Sequence, residues 1–126
     1  MLEGTSVEDT VHVMTRHGGV LGSYSLNQHQ SPSEMTITVI CDGGTARFEG
    51  HLNRWRWMLK PGDPWHDEQF DPIERDTFFV NQANAFLDLL EDQALPDCTL
   101  EEGLQTLRVN LAALASVDQG KWQTIG

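Results

Sequence analysis

Asn27-Gln28-His29-Gln30 places four polar side chains in a row just ahead of the break Ser31-Pro32-Ser33. Such a run offers amide donors, amide acceptors and an imidazole that titrates near neutrality, a set suited to hydrogen-bonding several hydroxyls at once. The same four residues equally suit a strand end that dips into solvent. A second grouping is Trp55, Trp57 and Trp65 with Arg54 and Arg56, either an aromatic and guanidinium wall for a sugar or simply core and interface. Spacing alone favours core and interface. Asp63, His66, Asp67 and Glu68 crowd one segment, where a hard cation competes with the commoner solvated acidic loop. The remaining histidines, His12, His17 and His51, have no ligand-like partner at helical spacing, and His12 alternates with valines as a satisfied sheet histidine would.

Other chemistry is missing. There is no Walker A sequence, no HExxH, no GxSxG and no EF-hand loop. Gly18-Gly19-Val20-Leu21-Gly22 has the wrong spacing for a dinucleotide fingerprint and lies between two strands, so it reads as a hairpin. Cys41 and Cys98 lack redox or zinc spacing and read as two buried, reduced thiols.

These residues need elements to position them. From Val7 to Lys60 the pattern has period two, which predicts antiparallel sheet. Strands are expected around Val11–Arg16, Val20–His29, Met35–Cys41, Thr45–Glu49 and His51–Leu59, with tight turns at Gly18-Gly19 and Asp42-Gly43-Gly44. Lys60-Pro61-Gly62-Asp63-Pro64 opens a loop reaching about Asp71. Asp71-Pro72-Ile73-Glu74 then reads as the start of a helix ending near Asp92, with an apolar stripe of Phe79, Ala83, Phe86, Leu87 and Leu90. Thr99-Leu100-Glu101-Glu102 is a capping box opening a second helix, whose buried stripe is read as Leu104, Leu107, Leu111, Leu114 and Ala115. Gly120 suits its C-terminal cap, and Trp122–Ile125 suits a last short strand. Strands first and helices afterwards give an α+β class: a mostly antiparallel sheet of about five or six strands with two helices packed on one face.

The chain has 126 residues, a length that suits a single domain spanning 1–126. Its 39% hydrophobic content is too high for a disordered chain. With 19 acidic and 8 basic side chains its formal net charge is −11, which repels phosphate backbones and anionic headgroups, so neither nucleic acid nor a membrane surface is an expected partner. No basic n-region or spanning apolar stretch appears, and a cytoplasmic address is the expectation. Two helices cover only one face of such a sheet. Yet the strands carry apolar residues on both faces, Ile37 and Val39 against Ile40, Trp55 and Trp57 against Leu52 and Met58, Tyr24 and Leu26 against Leu21. A water-facing sheet surface normally alternates to polar, so the open face is expected to be covered by another subunit or domain.

The two capped helices carry a family resemblance. Phe78-Phe79-Val80-Asn81-Gln82-Ala83-Asn84-Ala85-Phe86-Leu87-Asp88, then Leu95-Pro96-Asp97-Cys98-Thr99-Leu100-Glu101-Glu102-Gly103-Leu104, then Asn110-Leu111-Ala112-Ala113-Leu114-Ala115-Ser116, resemble the C-terminal part of the Gfo/Idh/MocA oxidoreductases, named for glucose-fructose oxidoreductase and inositol dehydrogenase. The upstream hairpins are similar to that family's C-terminal sheet. The resemblance implies a parent enzyme that moves a hydride between NAD or NADP and a hydroxyl carbon of a sugar, cyclitol or related polyol. It implies that this part supplies substrate wall and subunit contact, as a homo-oligomer through its open sheet face, with Gln28, His29 and Gln30 near the substrate. The family's Rossmann domain and catalytic residues have no counterpart in this sequence. Lys60-Pro61 imitates the catalytic Lys-Pro motif but follows the fifth strand, and the only acid four residues before a histidine is Glu8, ahead of His12. No catalytic, cofactor-binding or metal-binding residue is therefore assigned, and the chain by itself is expected to be inactive. The alternative is a free-standing α+β binding or protein-interaction module without catalysis.

Overall fold

The computed structural model describes Gly4 and residues 8–126. The expected start of the sheet pattern at Val7 lies outside the described residues. The class is α+β, with six strands in two antiparallel sheets and two helices among the described residues. The chain divides into two compact units, Met1–Pro72 with the sheets and Ile73–Gly126 with the helices.

In the first unit, β1 (Thr10–His17) and β2 (Val20–Asn27) form a two-stranded sheet. Their two-residue loop is Gly18-Gly19, with a left-handed φ of 59° at Gly18, which is where a hairpin matched to strand twist wants a residue without Cβ. The register pairs Val11 with Leu26, Val13 with Tyr24 and His12 with Ser25. The His12 ring nitrogen Nδ1 lies 3.0 Å from the Ser25 hydroxyl, so this histidine is satisfied across the ladder.

The second sheet runs in the order β3 (Thr36–Cys41), β4 (Gly44–Glu49), β5 (Arg54–Met58) and β6 (His66–Gln69). A 3-10 turn at Gly50–Leu52 and a left-handed Asn53 (φ 50°) separate β4 from β5, where one continuous strand was expected from His51. The segment His66–Gln69, expected as loop, is instead the edge strand β6. Register fixes the two faces, because residues directly opposite share a side. One face carries Thr38, Arg47, Arg56 and Asp67 across the four strands, flanked by Glu49 and Arg54; the other carries Ile37, Phe48, Trp55 and Glu68, flanked by Val39, Ala46, Trp57 and His66.

In the second unit, α1 spans Arg75–Leu90 and α2 spans Leu100–Gln119. The first begins after Glu74 rather than after Asp71, with no side-chain cap. The second starts on the expected capping box: Thr99 and Glu102 each bond the other's backbone N–H, and Gly120 closes it in the left-handed region. Both predicted stripes have helical spacing, but their leucine and phenylalanine side chains stay exposed, and of their members Ala115 alone is half-buried. The less exposed residues of α2 are Val109, Ala112, Ala113, Ala115 and Ser116, beside which the C-terminal segment returns. The Ser116 hydroxyl donates to the Lys121 carbonyl at 2.8 Å, and Gln123 donates to the Ala115 carbonyl. These side-chain bonds hold the tail without a ladder, so Trp122–Ile125 is not a strand.

Among the described residues no apolar side chain is buried, and the buried residues are two carboxylates, Asp9 and Glu49. Both cysteines are free and exposed, in place of the buried thiols expected.

Candidate functional site

Burial of a carboxylate requires a partner, and each buried acid marks a site. Asp9 sits one residue before β1, opposite the end of β2, and its carbonyl accepts from the Gln28 amide at 2.9 Å. The Asn27 side chain accepts from the His29 amide at 2.8 Å, an Asx turn that swings the imidazole back toward β1. His29 Nε2 then lies 3.0 Å from the Asp9 carboxylate. A carboxylate held against one ring nitrogen fixes the ring's orientation and, with that nitrogen protonated, leaves Nδ1 as an acceptor. Gln30 leaves the group, its amide reaching Glu34 at 3.4 Å. Of the three substrate-facing candidates, Gln28 and His29 are thus tied to Asp9, Gln28 through its backbone, and Gln30 is directed toward the following turn. All three are exposed.

The second buried acid organises the polar sheet face. Glu49 accepts from Arg54 at Nε (2.8 Å) and Nη2 (2.6 Å), with Arg56 Nη1 at 4.0 Å. Asp67, on β6, accepts from Arg56 at 3.0 and 3.4 Å and from Arg54 at 3.5 Å. Two carboxylates and two guanidiniums therefore form a closed set across three strands. A third guanidinium, Arg47, donates from Nε to the Thr38 hydroxyl at 3.2 Å. Arg47 and Arg56 both lie over the Trp65 ring, 5.2 and 4.8 Å from its centroid, within cation–π range.

This divides the wall suggested by the sequence. Trp65 joins the arginines, while Trp55 and Trp57 point to the opposite face, where Phe48 lies 4.6 Å from Trp55 and 5.9 Å from Phe70, and Trp57 lies 5.6 Å from His66, centroid to centroid. The candidate cation cluster is divided for the same reason. Strand alternation sends Asp67 to the arginines and His66 and Glu68 to the aromatic side, and no group of three ligating side chains suited to a metal occurs among the described residues. Gly18-Gly19 joins antiparallel strands and Gly22 lies inside β2, so this glycine run forms no strand-to-helix phosphate loop and does not fit a dinucleotide.

Arg47 and Glu49 were not singled out as site residues by their spacing, and Asp67 was read only as a member of the candidate cation cluster, not as a partner of the arginines. Their signal was register: a two-residue loop at Asp42-Gly43 and the β4–β5 pairing bring Arg47 opposite Arg56, a like-charge pair that needs nearby acids or an aromatic ring. Comparison with protein-family models, curated proteins and solved structures finds no match. No helix among the described residues is long and apolar enough to cross a membrane.

Proposed function

We propose that this chain is a substrate-wall and subunit-contact part of an NAD(P)-dependent oxidoreductase resembling the Gfo/Idh/MocA enzymes, acting on a sugar, cyclitol or related polyol, and that it binds no cofactor itself. The observation carrying the contact role is the aromatic face of the second sheet. Ile37, Val39, Trp55 and Trp57 keep 57, 58, 49 and 37% of their surface exposed, side by side in register. Contiguous exposed apolar patches larger than a few hundred Å² mark interaction surfaces. A second copy of the same sheet face satisfies it by an isologous contact. The polyol role rests on the family resemblance and on the turn at Gln28, His29 and Gln30, whose imidazole is oriented by Asp9 and whose amides suit hydroxyl groups.

The test is sedimentation velocity of the full chain from low to high micromolar concentration, beside Val39→Glu and Trp57→Glu. The expected result is a concentration-dependent dimer that either charge abolishes. A monomer throughout, with a folded spectrum, refutes the contact role. Calorimetry with NAD and NADP checks the cofactor statement: measurable binding would instead favour a self-contained binding module.

A further inference from the structure

We infer that the polar face of the second sheet holds an oxyanion site centred on Arg47, taking the phosphate or carboxylate of a small ligand, with Arg56 and Trp65 as its walls. The charge count is local. Three of the eight basic side chains, Arg47, Arg54 and Arg56, lie on this one face with two acids, Glu49 and Asp67, so the face is left cationic in a chain whose formal charge is −11. The two acids are committed to Arg54 and Arg56. Arg47 has no carboxylate within 4.0 Å among the described residues; its Nε is held by Thr38 and its plane lies over Trp65.

That arrangement has the parts of a receptor for an oxyanion. Thr38 and Trp65 restrain the guanidinium, so little side-chain freedom remains to be lost on binding, and the two terminal nitrogens present the fork that matches a carboxylate or phosphate bidentately. The residue is half-buried, which strengthens the pair over a fully solvated one. Arg56 beside it adds field without needing to give up Asp67. The acidic chain around the site repels long polyanions, and a single oxyanion on a small molecule pays that cost least. The inference does not depend on the oxidoreductase reading, since it uses the sheet face opposite the proposed subunit contact.

The test titrates the full chain with inorganic phosphate, with glucuronate as the carboxylate source and with glucose as the neutral counterpart, by calorimetry and by NMR of the arginine Nε–H and tryptophan indole signals. Phosphate, glucuronate or both should shift Arg47 and Trp65 with saturation, leaving Arg108 on α2 unmoved, and glucose should do nothing. Arg47→Met should weaken binding about tenfold or more, the loss of charged hydrogen bonds, and Arg47→Lys should weaken it less while preserving the fold. Arg108→Met should leave it unchanged. Absence of saturable shifts in the wild-type chain, equal shifts at Arg108, or undiminished binding by a folded Arg47→Met or Arg47→Lys protein would overturn the site.

Discussion

Removing the Glu49 carboxylate tests whether the ion network is part of the sheet's stability or decoration on it. An exposed ion pair is worth about 0–1 kcal/mol, whereas stripping one partner from a fully buried pair costs about 3–5 kcal/mol. Glu49 stands between these limits. The residue is 8% exposed and takes two N–H bonds from one guanidinium, but the Arg54 and Arg56 side chains retain 21 and 20% of their surface, and Asp67 remains as a countercharge to both. Water and Asp67 can therefore absorb part of the loss. Glu49→Ala should cost about 2 kcal/mol, the range for hydrogen bonds to charged groups. In a double-mutant cycle, coupling of Glu49 to Arg54 should reach about 1.5 kcal/mol, and coupling to Arg56, 4.0 Å away, should stay below about 0.5 kcal/mol. Urea unfolding followed by tryptophan fluorescence reads both, provided the slope with urea is unchanged. A single-mutant loss under about 0.5 kcal/mol, or equal coupling to the two arginines, would refute the assignment of Glu49 as the buried organiser.

Two further perturbations follow from the backbone and the helix cap. Gly44→Ala should destabilise the second sheet by more than about 2 kcal/mol in urea, because Gly44 holds a φ of 133° and a Cβ there meets the Met58 carbonyl oxygen, whereas Gly43→Ala, with open space around it, should cost far less. Thr99→Ala should cost about 1 kcal/mol and raise amide exchange in the first turn of α2. The Thr99 backbone N–H and then its hydroxyl donate to Glu102 and hold that carboxyl below its ordinary value. A depressed folded value means that the cap's contribution is complete above the unfolded carboxylate value and is lost as pH falls through the lower folded one, so exchange in that turn should rise in acid for the parent and much less for Thr99→Ala.

The hairpins and the capping box were legible because local chemistry decides them. Thr36–Cys41 is β-branched nearly throughout and runs into a glycine turn, and Thr99 with Glu102 satisfies its own helix end. Strand β6 was not legible, since His-Asp-Glu-Gln carries no strand preference; it pairs with β5 through the ladder and through Asp67 meeting two arginines, contacts made across 11 and 13 residues. The start of α1 was placed too early for a related reason: Asp71-Pro72 has the composition of a cap, but the segment 71–74 remains irregular and helix begins at Arg75. Of the site, His29 was visible as a residue type but its partner was not. Continuing the β1–β2 register one residue past Thr10 and Asn27 sets Asp9 beside Gln28 and His29, so the pair follows once the two-residue loop at Gly18-Gly19 is taken as fixed.

The two faces of the second sheet invert the usual order. A sheet that stands alone in water hides its apolar side and leaves its charges solvated. Here Glu49 is the buried residue, its arginines are mostly covered, and Ile37, Val39 and Trp55 are open. The charged face is cross-linked over three strands by bonds that fix side chains with many rotamers, an ordering cost that water would not repay at an idle surface. Such cross-links tie β4, β5 and β6 together behind Phe48, Trp55 and Trp57, and for the proposed self-contact a tied sheet would reduce the ordering that association has to supply. The two proposals are therefore coupled in one direction only. Loosening the network through Glu49 should weaken self-association at the opposite face as well as stability, whereas Trp57→Glu should abolish association and leave the Arg47 site intact. Association unchanged in a folded Glu49→Ala chain would separate the two faces and remove the network's role in shaping the contact.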